Sequence, residues 1–329
     1  MESKSPDPRH PDGGETARVP NIMGDGVPKR PDWRPLPGVS PGTWRYATNQ
    51  SIASGYGDFV RQTPLCGADE QWVVNRIQQH CDTSEVVVEG GNSRIRIADF
   101  GCGNGRVAHR LAQHGWDVLA IDLSMPMLRS ARALTRSSVG EPDAIVPMTD
   151  RQACDGHGGS RARVLTLRCN LVEMQSIAEN SFDHGICLFS TIGMIRESQH
   201  RREFLAHAAR TIRPGGQLLL HAHNRWSAWH TPAGVRQAIS DCWQRVRGRR
   251  QTDGSPLHPG DRQYAYRGLG DMYLHTFYAS ELERDFRAAG WTRIRLDALS
   301  KDSARVIGTA NWFRRLTCGG FLVAASRDG

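Results

Sequence analysis

"RIRIADFGCGNGRVAHRLAQHGWDVLAIDLS", residues 94–124, is the stretch that decides the fold of this 329-residue chain. It opens with a short β-rich run, "RIRIADF", and a turn with glycines at positions 101, 103 and 105 follows. "GRVAHRLAQHG" has helical spacing and stops at Gly115, and "DVLAID" is a second apolar run. Because parallel strands are usually joined by a helical crossover, this order predicts a β-α-β unit.

The alternation continues toward the C-terminus. The expected helices are "PMLRSARALTRS", "HRREFLAHAARTI" and "ASELERDFRAAGW", and the expected strands are "RVLTLRCN", "SFDHGICLFS", "QLLLHAH", "TRIRLDAL" and "GFLVAAS". This pattern predicts the α/β class: a Rossmann-like, doubly wound, mostly parallel seven-stranded sheet with helices on both faces. Ligands of such sheets bind at the carboxyl ends of the strands, so functional residues are expected just after each strand.

The flanking segments predict the domain organisation. Residues 1–45 hold more than half of the 17 prolines and predict a disordered tail, followed by one domain over residues 46–329. Two interruptions are expected in that domain: a polar loop insertion near 137–162, and a cap or substrate-side insertion near 225–278. Residues 67–81 predict a helix that precedes the first strand.

Composition restricts the class of protein. The chain has no apolar run long enough to cross a membrane and no secretory signal, so a cytoplasmic protein without membrane contact is expected. Its eight cysteines lack paired spacing, which argues against a structural zinc site, and no metal requirement is predicted. The net charge of +8 is compatible with RNA binding or with a solvated arginine-rich surface, and the densest cluster is Arg245–Arg250. The oligomeric state is not specified.

The glycine turn fits two kinds of nucleotide cofactor. "GNGRVA", read from Gly103 to Ala108, satisfies the dinucleotide pattern, and Asp122 is an acid at about the expected spacing of 20 residues. Asp99 favours the other cofactor, because an acid beside the turn would repel a pyrophosphate but suits the cationic amino and sulfonium groups of S-adenosylmethionine. Alternatively, Asp99 only caps the turn.

Four ordered segments resemble the class I S-adenosylmethionine-dependent methyltransferases. "DFGCGNGR" resembles their D/E-x-G-x-G-x-G motif, and "IDLSMPMLRSAR" resembles the segment after their second strand. "SFDHGICLFSTIGMI" resembles their fourth-strand segment, and "RTIRPGGQLLLH" their turn into strand five. The resemblance covers about residues 90–225 and implies S-adenosylmethionine as cofactor.

The resemblance also implies a set of cofactor-binding residues, all at the ends of the first four strands: Asp99, Gly101, Cys102, Gly103, Gly105, Asp122, Leu123, Met125, Asn170, Leu171, Phe189 and Ser190. In this interpretation Gly101 and Gly103 pass beneath the methionine portion, and Asp122 binds both ribose hydroxyls. The remaining roles concern the adenine and the reaction. Leu123 and Met125 pack near the adenine, Asn170 accepts from its amino group, and the Leu171 amide donates to its ring. Phe189 and Ser190 face the methyl-transfer cavity.

The sequence says less about the residues that would contact the methyl acceptor. Methyl transfer needs a base only when the acceptor is a hydroxyl, an amine or an acidic carbon. His221 and His223 would share one face of a strand, and His275 lies in an aromatic segment with Tyr264, Tyr266 and Tyr273. These three histidines are the catalytic candidates, with ordinary burial in the core as the alternative for each.

Three functions remain open. We expect transfer to an oxygen, nitrogen or carbon atom of a small molecule by in-line displacement. "YLHTFYASELERDFRAAGW" resembles a late segment of the tRNA-uridine carboxymethyl methyltransferases, so an RNA methyltransferase is an alternative; it predicts that Arg245–Arg250 lies beside the cofactor pocket. A weaker alternative is an NAD(P)-binding Rossmann protein or a non-catalytic cofactor binder, and the latter predicts an occluded or missing acceptor cavity.

Overall fold

The computed structural model describes residues 36–83, 94–139, 162–230, 258–266 and 269–328, and isolated residues between 232 and 247. The helices are α1 (Pro41–Thr48), α2 (Gln50–Ser54), α3 (Tyr56–Arg61), α4 (Pro64–Thr83), α5 (Arg106–Gln113), α6 (Met125–Val139), α7 (Thr191–Met194), α8 (Ser198–Thr211), α9 (Ala279–Ala288) and α10 (Trp312–Thr317), with a 3-10 helix at Arg225–His230. Within these described ranges, no helix has the length and apolar character that a bilayer span requires.

The strands form one large sheet and one hairpin. They are β1 (Arg96–Phe100), β2 (Asp117–Asp122), β3 (Val164–Arg168), β4 (Phe182–Cys187), β5 (Ile212–His223), β6 (Asp261–Tyr266), β7 (Leu269–His275), β8 (Arg293–Leu299), β9 (Val306–Thr309) and β10 (Gly320–Ser326). The large sheet has eight strands in the order β3-β2-β1-β4-β5-β10-β8-β9, and β6 pairs with β7. The first five strands run parallel, and β10 is antiparallel to β5 and β8.

This topology confirms the predicted doubly wound α/β sheet. The strand order reverses between β1 and β4, which opens a crevice at their carboxyl ends. The short strand β9 lies at the sheet edge and adds an eighth strand to the seven that the sequence predicts. Its residues are largely exposed, so it lacks the apolar run by which the other strands are predicted.

Strand alternation creates a core on each face of the sheet. Ala98 and Phe100 point to one face and pack with residues of α8 and α9, whereas Ile97 packs with α4 and α5 on the other. The expected helices on both faces are therefore present. Trp291, which follows α9, is fully buried and donates its indole N–H to the Leu205 carbonyl at 3.1 Å.

The flanking segments differ in part from expectation. Helix α1 begins at Pro41, inside the segment predicted to be disordered, and residues 1–35 lie outside the described residues. Most of the insertion predicted near 137–162 also lies outside them. The predicted cap near 225–278 contains the β6–β7 hairpin, which the sequence analysis did not find.

Helix α1 and the β6–β7 hairpin pack directly on each other. A Cβ atom at Gly42 would lie 2.1 Å from the carbonyl oxygen of Asp271, so only glycine allows this approach of helix to strand. The Arg45 guanidinium pairs with the Asp271 carboxylate beside the same contact. Two segments separated by more than 200 residues in sequence thus form one wall, next to the crevice.

Two glycines in this fold differ in what they are needed for: one only for its backbone angle, and the other also for close helix packing. Gly105 and Gly115 both have left-handed backbone angles, with φ of +78° and +85°. A Cβ at Gly105 would lie 2.7 Å from Cβ of Ala131 on α6, whereas a Cβ at Gly115 meets nothing within 4 Å. We expect Gly115→Ala to lower the free energy of unfolding by about 1–2 kcal/mol, the cost of the left-handed conformation.

Gly105→Ala is expected to cost the same conformational energy plus an overpacking energy of about 1–3 kcal/mol. Urea unfolding of both variants measures the difference. Equal losses in the two variants would show that the close packing of α5 on α6 does not need Gly105.

Candidate functional site

The main pocket lies at the carboxyl ends of the parallel strands, beside the reversal between β1 and β4. We call it the central pocket. Eight of the residues predicted from the sequence line it: Gly101, Gly103, Asp122, Leu123, Asn170, Leu171, Phe189 and His223. These residues come from the ends of five strands that are distant in sequence, and the sheet topology brings them together as expected.

Asp122 is held rigidly at the end of β2. One carboxylate oxygen accepts the Gly103 amide at 2.8 Å, and the other accepts the Ser124 amide at 2.7 Å. Burial raises the pKa of this carboxyl, and the backbone amides oppose that shift. Each oxygen keeps a further lone pair, so the carboxylate can still accept from two hydroxyl groups of a ligand.

The amides of the glycine turn are already engaged, which makes the turn a poor phosphate site. Gly101 and Cys102 donate to the Ile121 carbonyl at 2.8 and 2.9 Å, Gly103 donates to Asp122, and Gly105 donates to the Cys102 carbonyl at 3.0 Å. A pyrophosphate would need such amides free and would meet the Asp122 charge. The turn therefore does not fit a dinucleotide, whereas a cation-bearing cofactor without phosphate fits it.

Asp99 does not reach the central pocket, contrary to its predicted contact with the cofactor. Its side chain is buried behind the turn and accepts a hydrogen bond from the Ala108 amide in the first turn of α5. Asp99 thus supplies a hydrogen-bond acceptor at a helix N-terminus, which is the place where dinucleotide sites bind a phosphate. Burial raises the pKa of its carboxyl to about 7, the Asp122 and Asp69 charges add to the shift, and the Arg106 charge opposes it.

Four other predicted cofactor residues also lie away from the central pocket. Cys102 points into the core between the two glycines that face the pocket, and Gly105 packs against α6. Met125 begins α6, and Met127, two residues further along the helix, lines the pocket instead. Ser190 is fully buried, and its hydroxyl accepts the His223 amide at 3.3 Å. For Cys102, Met125 and Ser190, a residue one or two positions away lines the pocket instead.

The third strand end closes the side of the pocket where the resemblance puts the adenine. The Asn170 side-chain amide donates to the Pro37 carbonyl at 3.0 Å and to Glu173 at 3.1 Å, and its oxygen accepts from Val172. Asn170 therefore anchors the chain that precedes α1 over the pocket. Its oxygen retains one lone pair for a ligand donor.

The turn after β4 has an unusual backbone. Phe189 and Ser190 are consecutive non-glycine residues in the left-handed region, with φ of 52° and 58°. Each such residue costs on the order of 1 kcal/mol, and such strain concentrates at functional sites. Here it turns the Phe189 ring into the central pocket, where the ring contacts Phe59 edge-on at a centroid distance of 5.7 Å.

Of the three candidate histidines, only His223 lines the central pocket. Burial lowers its pKa to about 4, and the Arg262 charge adds to the shift. At neutral pH the ring is therefore uncharged and has a nitrogen lone pair that can accept a proton. This is the state that a general base requires.

His221 and His275 do not line the central pocket. His221 lies behind His223, with a ring-centroid distance of 4.9 Å, and is completely buried; burial lowers its pKa well below the ordinary value. His275 contacts Asp261 through Nδ1 at 2.8 Å and Glu281 through Nε2 at 2.9 Å. Both of its ring nitrogens therefore face carboxylates of the protein.

The sequence analysis missed most of the outer wall of the pocket. This wall comes from α1 to α3, the chain around α7, and the β6–β7 hairpin, and its residues include Val39, Thr43, Tyr46, Tyr56, Met194, Ile195, Tyr264, Met272 and Leu274. Of these residues the sequence analysis named only Tyr264, in the aromatic segment around His275. Tyr273, from the same segment, is instead buried and donates to Asp261 at 2.6 Å. The Tyr266 side chain and five of the six residues in Arg245–Arg250 lie outside the described residues.

Residues 98–220 match a protein family described as "Methyltransferase domain". The chain is 22% identical over 183 residues to a protein of Geobacillus sp. (strain WCH70) that carries a methyltransferase name, and the match covers 56% of this chain and 60% of that protein. It is 38% identical over 83 residues to malonyl-[acyl-carrier protein] O-methyltransferase of Salmonella typhimurium, which covers 25% of this chain and 30% of that enzyme. The chain thus spans less than two thirds of the length of either curated relative.

Solved structures show the same fold. A SAM-dependent methyltransferase from Methanosarcina mazei is 17% identical with a TM-score of 0.50, and the match covers 74% of this chain and 98% of that one. A 1,6-didemethyltoxoflavin-N1-methyltransferase of Burkholderia thailandensis, solved with bound 1,6-didemethyltoxoflavin and S-adenosylhomocysteine, is 14% identical with a TM-score of 0.50. That match covers 90% of this chain and 94% of the other.

The buried Asp99 carboxyl makes a pH-dependent contribution to stability. Its pKa is about 7 in the folded protein against 3.8 without burial, so the folded state binds more protons between these values. The free energy of unfolding should therefore fall as pH rises from about 4 to about 7, and then level off. Asp99→Asn removes this contribution.

Urea unfolding at pH 4.5, 6 and 7.5 gives the difference in free energy of unfolding between wild type and Asp99→Asn. Asp117→Asn, at the other end of β2, controls for the loss of one charge. A difference between wild type and Asp99→Asn that stays constant across these pH values would contradict the raised pKa.

The site and the comparisons agree on the cofactor. The turn lacks Cβ atoms at Gly101 and Gly103, where ligand and backbone meet, and Asp122 presents two fixed acceptors. The engaged amides exclude a phosphate cradle, and the family match starts at Ala98 and ends in β5. Residues 98–220 therefore match a methyltransferase domain, and the cofactor that the site fits is S-adenosylmethionine.

Proposed function

We propose that this protein transfers a methyl group from S-adenosylmethionine to a small-molecule acceptor bound in the outer part of the central pocket. The observation that carries the proposal is the position of His223. It is an uncharged histidine on the same pocket as the predicted cofactor residues, beside a wall of tyrosine, methionine and leucine side chains. A concave, mostly apolar pocket with few polar groups is typical of a small-molecule site.

The cofactor half of the pocket supports binding through fixed groups. The Asp122 carboxylate would accept from the two ribose hydroxyls, and its orientation is set in advance by the Gly103 and Ser124 amides. Among the described residues, nothing accepts a hydrogen bond from the Leu171 amide, which would donate to the adenine ring. When bound, S-adenosylmethionine supplies a methyl group on a sulfonium, which is displaced in line by the acceptor.

The acceptor half supports positioning and proton removal. His223 would take the proton of an acceptor hydroxyl, amine or acidic carbon on a ring nitrogen. The hydrogen bond from its own backbone amide to the Ser190 hydroxyl fixes the end of β5 beside the strained turn after β4. The pocket is open, and its outer wall is made by described residues. A non-catalytic binder with an occluded acceptor cavity is therefore not favoured.

The first test concerns the cofactor. Asp122→Ala is expected to weaken binding of S-adenosylhomocysteine by about 1–3 kcal/mol, because hydroxyl groups lose their acceptor and two backbone amides are left unpaired. Isothermal titration calorimetry measures the affinity. Asp117→Ala, in the same strand but at its opposite end, should bind as wild type does. Wild-type affinity in Asp122→Ala would contradict the assigned ribose contact.

The second test concerns the class of acceptor. The protein is incubated with methyl-labelled S-adenosylmethionine and, separately, with a metabolite extract and with RNA. We expect label in the metabolite fraction, and none when Asp122→Ala replaces the wild type. Label in the RNA fraction alone would favour the RNA methyltransferase alternative and overturn the small-molecule proposal.

The third test concerns the base. With the acceptor found in the extract, His223→Gln should lower kcat by about 10²- to 10⁴-fold while S-adenosylhomocysteine affinity is retained. Because the pKa of His223 is about 4, the wild-type rate should stay level between pH 6 and 8 and fall only as pH approaches 4. His109→Gln, on α5, is the matched control. An unchanged kcat in His223→Gln would exclude the histidine as base.

A further inference from the structure

The pairing of the β6–β7 hairpin decides which of its side chains face the central pocket. Tyr264 lies opposite Met272, and Arg262 lies opposite Leu274. Residues directly opposite each other in an antiparallel pair, and residues two apart in one strand, point to the same face. Tyr264, Met272 and Leu274 all line the pocket, so Arg262 lies on the same face of the hairpin as these three residues.

The hairpin is held in place at its base by a buried network that the proposed reaction does not otherwise use. Asp261, adjacent to Arg262, accepts from the Tyr273 hydroxyl and contacts His275, and its second oxygen accepts the His258 amide at 3.0 Å. His275 contacts Glu281 on α9 as well. This network ties β6 and β7 to the main domain, so the position of Arg262 is fixed relative to the sheet.

The same region of chain runs beside the end of β5. The Phe277 amide donates to the His223 carbonyl at 2.9 Å, and the Arg225 amide donates to the Phe277 carbonyl at 2.8 Å. The end of the hairpin is thereby joined to the strand that carries His223. Among the described residues, the Arg262 charge on β6 acts on the His223 ring, and the His221 ring lies behind it on β5.

We propose that Arg262 binds the acceptor oxygen beside His223 and that the acceptor is an acidic hydroxyl compound, a phenol or an enol. This inference rests on the proposed methyltransferase function. The O–H bond of the acceptor breaks, its proton passes to a His223 ring nitrogen, and the electron pair stays on the oxygen. The Arg262 guanidinium then stabilises that oxyanion until the oxygen forms its bond to the methyl group; the bond from the methyl group to sulfur breaks in the same step, and its electron pair stays on the sulfur of the departing S-adenosylhomocysteine.

The charge arrangement discriminates between acceptor classes. A phenol or enol becomes an anion when it is deprotonated, so a neighbouring guanidinium favours its reactive form. An amine that is protonated at neutral pH would be repelled by the same cation, and its free base carries no negative charge to stabilise. After transfer, the imidazolium lies beside the guanidinium, and their repulsion favours release of the proton to solvent.

One experiment, which needs no substrate, tests whether the Arg262 charge acts on the pKa of His223. NMR titration of the histidine ring signals is compared in wild type, Arg262→Gln and Arg262→Lys. We expect the pKa of His223 to move from about 4 part of the way toward the ordinary histidine value in Arg262→Gln, and to return in Arg262→Lys. Arg284→Gln, an exposed arginine on α9, is the control for loss of one charge. An unchanged His223 titration in Arg262→Gln overturns the placement of Arg262.

A second experiment tests the acceptor class. The labelled product from the metabolite extract is characterised by mass spectrometry and NMR to locate the new methyl group. We expect a methyl ether on a phenolic or enolic oxygen, and a 10- to 100-fold lower kcat/KM in Arg262→Gln that Arg262→Lys partly restores. A methyl group on nitrogen, or an unchanged kcat/KM, overturns this inference while leaving the methyltransferase function intact. Absence of label from every fraction would instead count against the methyltransferase function itself.

Discussion

The Asp122 carboxylate is the interaction on which the rest of the site depends. It accepts the amides of Gly103 and Ser124, so it joins the glycine turn after β1 to the turn after β2. These hydrogen bonds hold an acid where two hydroxyl groups can approach it, and they consume an amide that a phosphate would need. One carboxylate thus organises the floor of the pocket and also determines which cofactor it can accept.

Asp99 complements this arrangement from behind the turn. Its buried carboxyl accepts the Ala108 amide, so one amide of the helix N-terminus is already satisfied by the protein itself. The carboxyl lies behind the turn and is not among the groups that line the pocket. The sequence-based interpretation reached S-adenosylmethionine by expecting Asp99 beside the ligand, whereas the structure places it on the helix side of the turn.

The acceptor side is built differently from the cofactor side. The predicted cofactor residues follow the strand ends, where the family resemblance indicates them. The acceptor wall, in contrast, combines α1, the chain around α7 and the β6–β7 hairpin. Gly42 and the Arg45–Asp271 pair fix α1 against the hairpin, and the buried Asp261–His275–Glu281 contacts fix the hairpin against the domain. His275 is therefore a structural residue, although its aromatic neighbourhood in the sequence resembled that of a catalytic one.

The sequence by itself determined the doubly wound sheet, the cofactor and most of the pocket floor. Hydrophobic periodicity and glycine turns are local signals, and the strand ends of a parallel sheet always meet at one edge. The sequence could not distinguish His223 from His221, or Met127 from Met125, because which neighbour faces a cavity depends on strand register and helix rotation. The outer wall was decided only by tertiary structure, because its segments contact each other across more than 200 residues and carry no pattern that specifies the partner.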